Sequence, residues 1–117
     1  ISHAGPSQLE VKYGTTDELW FPEWDIGGTP WDNPEAYRKW SPLSYVRDFK
    51  TPLMVIHGAN DFRVSLEQGL AMFQALKRVG VDTKLVVFPD EDHFVNRPVN
   101  RKFWYDTVVD WLDKYLK

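Results

Sequence analysis

The 117-residue sequence contains no cysteine. That absence excludes disulfides, Cys-ligated zinc and a thiol nucleophile. Long apolar runs are missing as well: nothing approaches the roughly 20 residues of a membrane-spanning helix, and no charged-then-apolar leader opens the chain. There is no excess of positive charge, since the net charge is −3 with both signs mixed. A nucleic-acid partner and an anionic membrane surface are therefore not indicated. No G-x-S-x-G elbow occurs, and no internal repeat or low-complexity linker. Metal-ligand spacings of the H-E-x-x-H type are lacking too, so neither a metal nor a cofactor is expected.

Apolar side chains, by contrast, are plentiful: 43% of residues are hydrophobic and 15% aromatic. One domain's worth of chain with that composition can bury a core. Its two parts differ. Residues 1–50 hold five of the eight prolines and four of the six tryptophans, with Gly27-Gly28 between them. Such punctuation predicts loops and short helices held by aromatic packing, including a helix over Pro34 to Lys39 capped by Asn33. Residues 51–117 are regular. Leu53 to His57 reads as a strand covered on both faces. Ser65-Leu66-Glu67-Gln68 reads as a capping box, opening a helix whose apolar face is Leu66, Leu70, Phe73 and Leu76 and which stops at Gly80. Thr83 to Phe88 reads as the next strand. Asn100 is positioned to cap a last helix with Trp104, Val108, Trp111, Leu112 and Tyr115 on its core face.

Strand, helix, strand, helix is the order of an α/β unit with parallel strands. Its chemistry follows the strands: "HGANDFRV" begins at His57 and "PDEDHF" ends at Phe94. Asp61 and His93 each fall four or five residues beyond a strand's carboxyl end, the edge where open α/β sheets gather their sites. A carboxylate bonded to a histidine Nδ1–H fixes the tautomer and stabilises the imidazolium formed when the other nitrogen takes a proton. The chain order acid then histidine fits the Ser…Asp…His order of α/β-hydrolases. Five serines are present (Ser2, Ser7, Ser41, Ser44 and Ser65), and none has the strand–turn–helix setting of a nucleophile. Since the chain opens on Ile1 and not on Met, the serine is expected before Ile1 or on another chain.

The stretches "TPLMVIHGANDFRVSLEQGLAMFQALKRVGV" and "LVVFPDEDHF" resemble the C-terminal catalytic region of the prolyl oligopeptidase family of serine peptidases, in its dipeptidyl-peptidase and acylaminoacyl-peptidase-like branches. "ISHAG" and "LWFPEWDIGGTPWDNPEAYRKWSPLSYV" resemble the segment that follows the nucleophile in those enzymes, so the resemblance covers all 117 residues. It implies the C-terminal portion of a single α/β-hydrolase domain over residues 1–117, with an incomplete sheet of parallel strands and flanking helices, preceded by a β-propeller. Residues 1–50 then form an aromatic-rich, substrate-side segment, and 51–117 bear the acid and base. By position, the resemblance makes Asp61 the triad acid, His93 the general base and Arg63 a substrate-carbonyl ligand, with Trp20 and Phe21 at the specificity pocket. A peptide substrate is implied. So is a protein partner: the serine-bearing remainder of the domain, or a second copy in a homo-oligomer. A carboxylesterase and a non-catalytic hydrolase fragment acting as a binding module are the alternatives.

Each residue also has a plainer reading. Asn60-Asp61 suits a tight turn, and Arg63 suits a surface salt bridge. His57 and His3 read as hydrogen-bonded structural histidines, Trp20, Phe21, Trp24 and Trp31 as packing, and Asp90, Glu91 and Asp92 as a solvated acidic loop. A metal held by Asp61, His93 and one of Asp90 to Asp92 is a further reading.

Overall fold

Leu53 to Ile56 are apolar at every position, and they lie in the middle strand of a three-stranded parallel sheet. In the computed structural model, which describes residues 1–117, the chain begins with β1 (Ser2–His3), α1 (Leu9–Thr15), α2 (Trp20–Ile26), α3 (Pro34–Trp40) and a 3-10 helix (Pro42–Asp48). The second part is β2 (Leu53–Gly58), α4 (Leu66–Val79), β3 (Thr83–Phe88) and α5 (Pro98–Leu116). The sheet order is β1-β2-β3, with Val55 opposite Leu85 on one side and Ser2 on the other.

Alternation along β2 sends its side chains to two cores. Met54 and Ile56 pack with Val86, Phe88, Val95, Val108 and Trp111 beneath α5. Val55 packs with Met72, Leu76 and Val81 beneath α4. Each such aliphatic side chain contributes about 1.5–3 kcal/mol when fully buried, so β2 is the most firmly held strand. β1 is an edge of only two residues, which sequence alone did not indicate. Several aromatics of α5, among them Phe103 and Tyr105, stay exposed.

Helix ends depart from the expected caps. Ser65 precedes α4 but bonds none of its N–H groups; the hydroxyl lies 3.1 Å from that of Thr15. The Gln68 amide oxygen turns outward to accept the N–H groups of Ser7 and Gln8 at 2.9 and 2.8 Å. A long-range tether has displaced the capping box. As a result the buried face of α4 is Gln68, Gly69, Met72 and Leu76, and Leu70 is exposed. Gly80 does end the helix, in the left-handed region at φ 82°, where lack of a Cβ removes the penalty. α5 begins at Pro98, so Asn100 lies inside it and donates to Asp90 and Glu91 instead of capping. Val108 and Trp111 are core, whereas Leu112 and Tyr115 are exposed. Asn33 precedes α3 without capping it; its amide donates to the Ile26 and Gly27 carbonyls at the end of α2.

Tyrosines, not tryptophans, hold the first part together. Tyr13 and Tyr37 are buried edge to face, the Tyr13 hydroxyl donates to Glu23, and that of Tyr37 donates to the Gly28 carbonyl. Trp20, Trp24, Trp31 and Trp40 are all exposed.

Candidate active site

Parallel pairing brings the carboxyl ends of β2 and β3 side by side, and the two following loops are hydrogen-bonded to each other. Ala59 N–H donates to the Phe88 carbonyl at 2.8 Å and Asn60 N–H to that of Glu91 at 3.0 Å. Gly58 permits the contact. A Cβ there would stand 2.0 Å from the Asp92 carbonyl oxygen, closer than any side chain tolerates.

From the first loop, Asp61 enters buried. Its Oδ1 accepts the N–H groups of Arg63 at 3.0 Å and Val64 at 2.9 Å, the pattern of an Asx turn. Its Oδ2 lies 2.8 Å from Nδ1 of His93. Asp61 is thus both a turn former and a partner of His93, each through a different oxygen. His93 keeps 26% of its side-chain surface exposed while that of Asp61 has none. Since Nδ1 donates to the carboxylate, Nε2 carries the lone pair, and it makes no hydrogen bond within the chain. The result is an oriented imidazole with one ring nitrogen left unpaired. Phe94 sits edge-on to the ring at 5.1 Å between centroids.

A cavity of about 330 Å³ opens beside this ring, with Leu9, Phe21, Pro22 and Ile26 as apolar wall and Arg63 at its margin. Phe21, Arg63 and His93 thus line one space. Trp20 does not; it is exposed and stacks on Phe21 at 4.5 Å between centroids. Arg63 is half-buried, with Nε 3.1 Å from Oε2 of Glu18. With the Asp17 N–H donated to the Phe62 carbonyl, that ion pair ties the start of α2 to the Asp61 loop.

The acidic loop is not solvated throughout. Glu91 is buried and accepts the N–H groups of Asn96 and Arg97 and the Asn100 amide. Asp90 pairs with Arg97 at 3.0 Å. Asp92 accepts the N–H of Phe94. None joins Asp61 and His93, and no three such side chains converge as metal ligands would; the metal reading fails on that geometry. Burial on its own would push the Glu91 carboxyl up, but these N–H donors and the Arg97 charge outweigh it and hold the group below the usual carboxylate range. His57 is fully buried against the Val64 carbonyl, and His3 accepts the Trp104 indole N–H at 3.2 Å. The support supplied by Glu91 and Gly58 was not visible in sequence: an acid among three acids, and a glycine after a strand, look the same whether packed or free.

Comparison with known proteins adds to this geometry. The model of the prolyl oligopeptidase family matches residues 1–117. Dipeptidyl-peptidase 5 of Porphyromonas gingivalis is 44% identical over the whole of this chain, which covers 18% of that protein. Dipeptidyl-peptidase 4 of Giardia intestinalis is 40% identical over 99% of the chain, which covers 16% of that protein. The structure of Pyrococcus horikoshii acylaminoacyl peptidase superposes on 97% of the chain with a TM-score of 0.91 at 32% identity, again over 19% of its own length. The chain therefore spans less than a fifth of the length of these relatives.

Proposed function

The chain belongs to the prolyl oligopeptidase family of serine peptidases, and from that premise we propose that its 117 residues supply the acid and base for hydrolysis of short peptides or acyl-peptides. The observation that carries this reading is the 2.8 Å contact between Asp61 Oδ2 and His93 Nδ1, made by a carboxylate whose other oxygen is already held by two backbone N–H groups. Asp61 is the orienting acid and His93 the general base.

The chemistry runs through Nε2. That nitrogen takes the proton of a serine hydroxyl while the oxygen attacks the scissile carbonyl, and the imidazolium is stabilised by Asp61. His93 then gives the proton to the leaving amine, which departs and leaves an acyl-enzyme. Water, deprotonated by the same nitrogen, releases the acid and regenerates the serine. The serine lies outside these 117 residues, in the remainder of the hydrolase domain or on another chain. Phe21 serves as a wall of the pocket for the side chain before the scissile bond, with Trp20 stacked behind it, and Arg63 donates to a substrate carbonyl. The two-residue edge strand and the exposed α5 aromatics suit a chain that docks on the rest of its domain or on a second copy.

A fluorophosphonate probe tests the reading on the intact protein. It should label one serine, and labelling should slow steeply in His93→Ala. Labelling at the wild-type rate in that variant would remove His93 from the mechanism. Comparing a dipeptide anilide with a simple ester as substrates separates a peptidase from a carboxylesterase.

A further inference from the structure

Directly beneath the Asp61 turn lies another histidine, which takes no part in the chemistry above. His57, the penultimate residue of β2, is fully buried. Its Nε2 is 2.7 Å from the Val64 carbonyl oxygen. A carbonyl only accepts, so that nitrogen carries the hydrogen and donates it. The same Nε2 is 3.6 Å from Asp61 Oδ2, too far for a second hydrogen bond but close enough for the N–H dipole to favour the buried carboxylate. On the other side Nδ1 has no partner and faces the backbone of α4 at Gly69, where a Cβ would stand 2.7 Å from it. The ring is thereby fixed in place and in tautomer.

Val64 is gripped twice. Its N–H goes to Asp61 Oδ1 and its carbonyl to His57, while Val64 itself lines the cavity beside His93. We infer that His57 is a positioning residue: through the Val64 carbonyl it locks the turn that aims Asp61 Oδ2 at His93, and Gly69 exists to let its ring in. The inference rests on the acid-base reading of Asp61 and His93. A histidine serving only to fill space would need its volume; a positioning residue needs the hydrogen on Nε2.

Two substitutions in the intact protein separate these roles. His57→Leu keeps much of the volume without the donor, and His57→Gln places an amide N–H near the Nε2 position. With a chromogenic dipeptide or acyl-amino-acid substrate, His57→Leu should lower kcat about 10- to 100-fold, the range seen in metal sites when an outer group that supports a directly acting residue is removed. KM should stay within about twofold, as expected when an interaction specific to the transition state is lost. His57→Gln should recover most of the loss, and the downfield Nδ1 proton of His93 should persist in it and broaden in the leucine variant. Equal losses in both variants, or wild-type kcat in His57→Leu, overturn the inference. Should the leucine variant not fold, Gly69→Ala decides, because it pushes on the ring while every donor remains: a folded variant with reduced kcat supports the inference and one with wild-type kcat overturns it. Asp61→Asn run alongside keeps the two readings apart. If it leaves kcat unchanged, the acid-base reading fails and takes this one with it; if it is crippled while folded His57→Leu is not, only the role of His57 falls.

Discussion

Oδ2 of Asp61 and Nδ1 of His93 stand 2.8 Å apart, although 32 positions separate the two residues in sequence. The other carboxylate oxygen is committed to the N–H groups of Arg63 and Val64, so the acid cannot rotate without losing two hydrogen bonds. This division of labour determines what an amide would do in its place. In Asp61→Asn the amide oxygen can still accept the two backbone N–H groups. Its NH2 then faces the Nδ1–H of His93, donor against donor, and the ring must adopt the tautomer with its hydrogen on Nε2. The base is lost while the turn survives. We expect kcat of the intact protein to fall by about 10⁴-fold, as for the corresponding change in a Ser-His-Asp triad, with little change in thermal midpoint. A kinetic measurement within tenfold of wild type, on the order of 1.4 kcal/mol in barrier, would show that Asp61 does not set the tautomer.

Gly58 yields the second prediction. A Cβ at this position would lie 2.0 Å from the Asp92 carbonyl oxygen and 2.6 Å from that of Glu91, and backbone cannot swing aside as a side chain can. Gly58→Ala should therefore cost about 1–3 kcal/mol by overpacking and push the His93 loop off Asp61. Displacements near 1 Å at a catalytic group cost on the order of 10²-fold in rate. Gly14 in α1 is the control, since an added Cβ there meets nothing within 4 Å; alanine at that position should be neutral or stabilising, by up to about 1 kcal/mol. Chemical denaturation and kcat on both variants check the pair. Equal behaviour of the two glycines would mean that the loop contact is not tight.

The contrast between those glycines marks where sequence is informative. β2 and β3 were legible because an apolar run bounded by turn residues has few other fates, and their order fixed the edge at which Asp61 and His93 meet. The supporting contacts were not. Gln68 sits where a capping box wants it, yet it serves Ser7 some 61 positions away. Glu91 looks like one of three solvated acids, yet it is the buried one. β1 is too short to carry a period of its own, and its place depends on pairing with Ile56. Long-range partners decide such cases, and local pattern cannot encode them.

Glu91 gives a prediction of pH dependence. Burial by itself favours the neutral acid, but the Asn96 N–H, the Asn100 amide, the Arg97 N–H and the Arg97 charge together hold the folded carboxyl below its usual range. The unfolded value is about 4.3. A folded value depressed below it means that the stabilisation is complete above about pH 4.3 and is lost as pH falls through the folded value. Glu91→Gln should be less stable than wild type at neutral pH, and its midpoint should decline less steeply on acidification. Parallel acid limbs in thermal denaturation would show that Glu91 contributes no such linkage.

His3 behaves in the opposite charge sense. Burial is the largest influence lowering its proton affinity, followed by repulsion from His57 and His93, while Asp61 acts weakly the other way. Geometry agrees: the Trp104 indole N–H points at Nδ1, and Nε2 is buried without a partner. Protonating Nδ1 would set two donors face to face. The unfolded chain, with an ordinary value of about 6.5, binds the proton more readily than the fold does. Stability must therefore fall as pH drops below about 6.5, and the loss levels off once the lower folded value is passed. Replacing the ring by an amide removes this titration. In His3→Gln the thermal midpoint should change less between about pH 8 and pH 5 than in wild type, that interval being where histidine changes charge. An equally steep decline in the variant would assign the loss to other groups and leave His3 free to carry its charge in the fold.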